Sequence, residues 1–302
     1  MSVIVSAVLP VFALLILGHV ARRSGFLDLT FWTQVEKGTY FVLFPALLIL
    51  RLAQAELDLA STGMVMLGAV LTPILGGLLA YGFRPLLKLD GPDFTSLFQG
   101  SARFNTYIGL ALAATLPEPA LMLAALVLAI MIPLVNVLCV LVFAHEVRQG
   151  NGLRGVLLSI LGNPLILGCL CGIALNLSGL QLPALVLEVL GKLAVMALPL
   201  GLLAVGAGLR LKALRVGGRA FAVSVLIKLL LLPALLWLVM RSLGLGGTGL
   251  QVLVMFAALP TASSAYILAR QLGGNHELMA AIITGQTLVA LLTLPLVMAM
   301  VL

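Results

Sequence analysis

Two short polar runs, each set inside a long apolar stretch, hold most of the side chains in this chain that could do chemistry. The first is Gln99-Gly100-Ser101-Ala102-Arg103-Phe104-Asn105-Thr106-Tyr107, and the second is Pro260-Thr261-Ala262-Ser263-Ser264-Ala265-Tyr266. Arg103 offers a planar fork of donors that suits a carboxylate. Asn105 offers both a donor and an acceptor, and Thr106, Tyr107, Thr261, Ser263 and Ser264 add hydroxyls. Pro260 removes a backbone donor and clashes with the preceding turn, so a helix is expected to break there. Unwound backbone at membrane depth is tolerated only where protein or a water-filled cavity surrounds it. The half-helix ends it leaves present amides and a positive dipole, which favour an anion. Glycine, serine and threonine also serve as close-packing seams between helices, which would explain either run alone. Two such runs at equivalent places favour a binding site.

Charge placed at depth points the same way. Arg103 lies near the middle of its apolar stretch, and Lys228 is flanked on both sides by largely apolar sequence. A cation there costs roughly 2.5–3.5 kcal/mol on insertion scales and normally faces a cavity or a partner. The acids Asp28, Glu36, Glu56, Asp58, Asp90, Asp93, Glu118, Glu146, Glu188 and Glu277 all map to span ends or loops. Embedded cations without an embedded anion suggest an anionic ligand for Arg103, while Lys228 reads as structural, near Pro233. The histidines His19, His145 and His276 read as interfacial. Cys139, Cys169 and Cys171 read as small hydrophobes, and neither a metal site nor a cofactor is expected. The chain has no His-Glu-x-x-His, no Gly-x-Ser-x-Gly and no pair of mid-membrane aspartates, so it does not read as an enzyme.

The elements that must position these residues are set by composition. With 62% hydrophobic and 9% charged residues and a mean hydropathy of +1.24, the chain is far from a soluble domain, which is about a quarter charged. A hydrocarbon core needs about 20 apolar residues per span. Ten candidate spans fall near 3–20, 40–52, 63–83, 94–116, 120–143, 156–177, 193–209, 221–239, 250–269 and 278–302. The expected class is an all-α polytopic membrane protein, one domain over 1–302. Arg22 and Arg23 follow the first span instead of preceding it, the wrong polarity for a cleaved signal, so that span reads as retained.

The Lys/Arg distribution sets the orientation. With the N-terminus outside, the inner loops hold Arg22, Arg23, Lys37, Arg84, Lys88, Arg148, Arg154, Arg210, Lys212, Arg215, Arg219 and Arg270, against Arg51, Lys192 and Arg241 outside. Both termini then lie outside. The net charge of +7 reflects insertion and gives no support to nucleic-acid binding. The halves also repeat: Pro10, Gly18, Ser24, Gly25 and Pro45 recur at a constant offset as Pro164, Gly172, Ser178, Gly179 and Pro199. With drift, Pro73 pairs with Pro233, Tyr107 with Tyr266 and Pro133 with Pro295. Repeat one covers about 1–147 and repeat two about 152–302. Five spans per repeat make the second half enter the membrane upside down, and the polar runs fall in spans 4 and 9.

At these residues the chain resembles a known family. Ala258-Leu259-Pro260-Thr261-Ala262-Ser263-Ser264-Ala265-Tyr266-Ile267-Leu268-Ala269-Arg270, followed by Gly273-Gly274-Asn275, is similar to the ninth-span signature of bacterial auxin efflux carrier family transporters, relatives of the plant PIN-formed exporters. Leu9-Pro10-Val11-Phe12 with Arg22-Arg23-Ser24-Gly25, Asn105-Thr106-Tyr107-Ile108-Gly109-Leu110 and Asn163-Pro164-Leu165-Ile166 fit the same family. Ala111 and Ala265 stand where plant members carry proline. The resemblance covers the whole chain. It implies two inverted five-helix repeats with spans 4 and 9 broken where they cross. It further implies a scaffold of spans 1, 2, 6 and 7, a moving domain made of the rest, and a homodimer formed through the scaffold.

The expectation is a secondary carrier of a small organic anion, auxin-like or dicarboxylate, working by elevator-type alternating access in the cell (inner) membrane. Arg103 and Asn105 would bind or orient the anion, with Thr106, Tyr107, Pro260, Thr261, Ser263 and Ser264 completing the site. A receptor or scaffold that binds without transporting is the alternative from another class. A sodium-coupled symporter is a narrower one.

Overall fold

The structure, a computed structural model, describes residues 2–54, 59–147, 162–180 and 182–301. Met1, Leu302, Glu56, Asp58, Arg148, Arg154 and the first residues of the expected sixth span, 156–161, lie outside the described residues. No strand occurs among those described.

The helices run as α1 (Ser2–Arg23), α2 (Leu29–Gly38), α3 (Phe44–Ala53), α4 (Leu59–Leu87), α5 (Gly91–Ala102), α6 (Thr106–Ala113) and α7 (Ala120–Glu146). They continue as α8 (Pro164–Ser178), α9 (Ala184–Gly208), α10 (Gly218–Leu226), α11 (Leu232–Ser242), α12 (Gly247–Ala258), α13 (Ser264–Gln271) and α14 (His276–Val301). Among the described residues, five stretches are long and apolar enough to cross a membrane: Thr62–Leu87, Ala120–Glu146, Ala184–Gly208, Gly218–Ser242 and His276–Val301. Pro164–Ser178 and Gly247–Ala258 are shorter apolar helices.

Two helices carry a π-turn just ahead of a proline. Thr39–Leu43 joins α2 to α3 before Pro45, and Ile227–Leu231 joins α10 to α11 before Pro233. In each, the amide preceding the proline reaches back five residues, Phe44 to Thr39 and Leu232 to Ile227. The wider turn accommodates the proline ring, which would otherwise press on the carbonyl four residues earlier. The expected second span, 40–52, is therefore only part of a longer rod that begins at Leu29. That places Glu36 inside a helix, where the sequence reading had it at a span end or in a loop.

The most extensive pairings are α1 with α9 and α3 with α8. Both use a glycine to bring backbones together. A Cβ on Gly18 would strike the Leu203 backbone, and one on Gly172 would meet the backbone of Ile49 at 3.1 Å. Gly18 and Gly172 are repeat equivalents, and Ile49 and Leu203 stand at the same offset. The same contact is thus made twice, with the roles of the halves exchanged. Helices α4, α5, α7, α10, α11, α12 and α14 pack together as a second group. There Asn275 caps α14 by accepting from the Leu278 amide at 2.9 Å, and its side-chain amide donates to Asp93 at 2.7 Å. At one end Arg84 pairs with both oxygens of Glu146, each at 2.6 Å.

Candidate functional site

Residues 103–105 separate α5 from α6, and residues 259–263 separate α12 from α13. The chain unwinds over fewer residues than the polar runs occupy: Gln99–Ala102 remain helical. The two breaks touch. The Asn105 amide donates to the Pro260 carbonyl at 2.7 Å, tying one unwound segment to the other through backbone alone.

The freed backbone is satisfied from within. Asn105 is extended (φ −87°, ψ 104°), and its side-chain oxygen accepts from the amides of Tyr107 and Ile108 at 3.0 and 3.2 Å. It is the N-cap of α6. Asn163 caps α8 in the same way, accepting from Leu165 at 3.0 Å and Ile166 at 3.4 Å. Thr261 donates its hydroxyl to the Gln99 carbonyl at 3.3 Å. Gln286, from α14, joins both breaks. Its oxygen accepts from the Thr261 amide at 2.9 Å, and its nitrogen donates to the Gly100 carbonyl at 2.9 Å and to Ser224 at 2.9 Å (Oγ) and 3.1 Å (carbonyl). Gly100 leaves room for that contact, since a Cβ there would collide with the Ser224 hydroxyl.

Beside the crossing lies a cavity of about 420 Å³. Arg103, Thr106, Tyr107, Ser263 and Ser264 line it. Asn105, Pro260 and Thr261 do not; they stand behind the wall as its frame. Arg103 and Asn105 therefore divide the work: the first faces the cavity, and the second shapes the helix start next to it. Arg103 is 7% exposed. Its Nη2 donates to the Asn136 side-chain oxygen at 2.8 Å, its Nη1 reaches Ser264 Oγ only at 3.5 Å, and its Nε has no partner. The cation thus keeps donors free. The nearby helix α13 begins at Ser264, and Ser263 before it makes no side-chain capping bond; its early amides turn back on the chain instead, Ala265 to the Ala262 carbonyl at 3.0 Å and Tyr266 to the Ser263 carbonyl at 3.1 Å.

The sequence reading missed several lining residues: Asn136 from α7, and Glu36, Tyr40 and Phe44 from the α2–α3 rod. Asn136 is a polar residue in the middle of a long apolar helix whose other polar residues, His145 and Glu146, stand at its end, a signal that was available. Glu36 puts a carboxylate at the cavity, together with Lys37. Tyr107 packs its ring edge-on to Phe44, with centroids 4.7 Å apart. Lys228 lies elsewhere, on the π-turn before Pro233, fully buried and with no hydrogen-bond partner for Nζ. Among the described residues no group of three or more histidines, cysteines or acids is placed to hold a metal.

Long apolar helices, two broken helices bonded at their breaks and a largely apolar cavity with a buried arginine beside them fit a polytopic membrane protein. The chain belongs to the membrane transport protein family, that of the auxin efflux carriers and PIN proteins, whose profile matches residues 122–298. The match takes in most of α7 with Asn136, all of the second break and most of α14 with Gln286. No curated protein matches the chain.

Proposed function

We propose that this protein is a secondary carrier of small organic anions that binds its substrate in the crossing cavity and works by alternating access. One observation carries the reading: a buried arginine with uncommitted donors lines a 420 Å³ cavity beside two helix breaks that are bonded to each other. A cavity of that size suits a small ligand. A buried guanidinium with no carboxylate partner favours an anion such as a carboxylate there. Tyr40, Phe44, Tyr107 and Ile267 surround it with apolar and aromatic surface. A single deep cation flanked by such walls fits a monocarboxylate with an apolar body better than a dicarboxylate, which would bring a second charge toward Glu36.

The doubled glycine contact of α1–α9 and α3–α8 supports two inverted five-span repeats, with spans 1, 2, 6 and 7 as a scaffold. On that reading the crossing body moves against the scaffold in an elevator motion, two copies associate through the scaffold, and both termini lie outside the cell (inner) membrane. A sodium-coupled variant is the weaker reading, because the Gly100 and Pro260 carbonyls at the breaks already accept from Gln286 and Asn105. A receptor that binds without transporting has no specific observation in its favour. The test is uptake into proteoliposomes across a panel of mono- and dicarboxylates, with and without sodium and a pH gradient. Apolar monocarboxylates should be taken up in preference. Uptake of dicarboxylates alone would reject the cavity assignment, and binding without uptake would leave the receptor.

A further inference from the structure

A second and larger cavity, of about 1000 Å³, lies between the end of α1, the 3₁₀ turn Leu211–Val216 and the chain around Tyr266 and His276. It shares no lining residue with the crossing cavity. Five cationic side chains converge on it, Arg22, Arg23, Arg210, Lys212 and Arg215, against the one carboxylate of Glu277. Among the described residues none of the five is in an ion pair, whereas Arg84 is met by both oxygens of Glu146. Two of the guanidiniums are held in place by neutral groups. Arg22 donates to the Ala207 carbonyl, and Arg210 lies 4.3 Å over the Tyr266 ring while donating to its hydroxyl at 3.0 Å. The ring of His19 also lines the cavity, and neither of its nitrogens has a partner. A positive-inside bias puts basic residues on one side of the membrane, but it does not make them converge on a single concavity. Like charges gathered around a cavity repel one another unless an anion joins them.

The surroundings indicate which anion. α1 carries Leu9, Ile16, Leu17 and Val20 on one face, each more than half exposed, and the stripe ends beside Arg22 and Arg23. Leu211 and Val216, both exposed, line the cavity as well. An apolar track that leads into a basic pocket matches a molecule with acyl chains and an anionic head. We propose that this cavity is a binding site for an anionic phospholipid. Its headgroup phosphate is held by Arg22, Arg210, Lys212 and Arg215, and its acyl chains lie along the outer stripe of α1. Because Arg210 also grips Tyr266 at the end of the crossing, the headgroup sits against the broken helix itself.

The test uses the full-length protein in detergent micelles of mixed phosphatidylcholine and phosphatidylglycerol, with retained lipid read by native mass spectrometry. Each basic residue near an anionic surface contributes about five-fold in affinity. The parent protein should retain phosphatidylglycerol preferentially, and Lys212→Gln with Arg215→Gln should weaken that preference by at least about ten-fold. Arg219→Gln with Arg270→Gln removes equal charge from exposed positions that do not line the cavity, and it should keep the preference. Equal loss in both pairs would mean diffuse attraction and would overturn the site. No preference in the parent, or displacement of the lipid by millimolar inorganic phosphate, would overturn the lipid assignment. So would a dimer that dissociates in the Lys212/Arg215 pair without any change in lipid retention, since a second copy would then be the occupant. If that pair fails to fold, Lys212→Gln alone should lower the preference about five-fold, and an unchanged preference there would equally overturn the site.

Discussion

Replacing Arg103 by alanine should remove the anion from the crossing cavity while leaving the protein folded. Arg103 gives one strong bond to Asn136, a marginal one to Ser264 and none from Nε. Nη1 and Nη2 each keep a second hydrogen, so up to two further bonds to a carboxylate can form. A hydrogen bond to a charged group contributes about 1.5–3 kcal/mol, so two correspond to roughly a hundred-fold or more in affinity at about 1.4 kcal/mol per factor of ten. A neutral analogue such as the amide lacks the charge, so its loss on Arg103→Ala should be clearly smaller than that of the acid. Arg103→Lys keeps the charge but loses the fork and the geometry to Asn136, so it should recover only part of the loss. Stability separates this from a structural role. Arg103 is a desolvated cation with no carboxylate partner, and its removal should leave the melting temperature unchanged or raised. The assay is ligand binding to purified protein by calorimetry, paired with uptake in proteoliposomes. Parent-level binding and uptake by a well-folded Arg103→Ala protein would refute the assignment. Equal weakening of acid and amide would refute the charge argument.

Four further outcomes follow from the same geometry. Asn105→Ala deletes the cap of α6, which should cost about 0.5–2 kcal/mol of stability in thermal unfolding and strongly reduce uptake without changing dimerisation. Gln286→Leu strands the Thr261 amide, the Gly100 carbonyl and Ser224, at about 1–3 kcal/mol for each buried group left unmade; a melting temperature equal to the parent's would show that Gln286 does not hold the crossing together. Lys228→Met keeps the length of the stem and removes an unpartnered buried charge, so it should retain transport with equal or greater stability, and loss of uptake in a well-folded protein would make Lys228 part of the site. Impermeant labelling of tags at Met1 and Leu302 should reach both from outside, and a cytoplasmic location for either terminus would contradict the five-plus-five arrangement.

Much of this molecule was readable from residue types. The helix breaks were legible because Pro260 and the Gln99–Tyr107 run interrupt otherwise apolar sequence, and the bond between Asn105 and Pro260 puts those interruptions in contact. What escaped the reading depended on partners distant in sequence. Gln286 sits among apolar and small residues on α14, and nothing local says that it bridges Gly100, Ser224 and Thr261. Asn105 looked like a ligand because its amide suits a carboxylate, yet its oxygen is taken by the first amides of α6. Glu36 reads as a loop acid by hydropathy, since the apolar run starts at Tyr40. The helix itself begins at Leu29, where Asp28 caps it by accepting from the Phe31 amide at 2.8 Å. The π-turns are a further case: proline signals a disturbance in a helix, but whether the helix kinks or widens depends on packing.

Counterflow tests the central claim most directly. Proteoliposomes loaded with an unlabelled apolar monocarboxylate should transiently accumulate the labelled compound against no gradient in parent protein, and should not do so with Arg103→Ala. Saturable binding of the same compound by parent protein with no accumulation in loaded vesicles would contradict a carrier. Accumulation that survives Arg103→Ala would contradict the site.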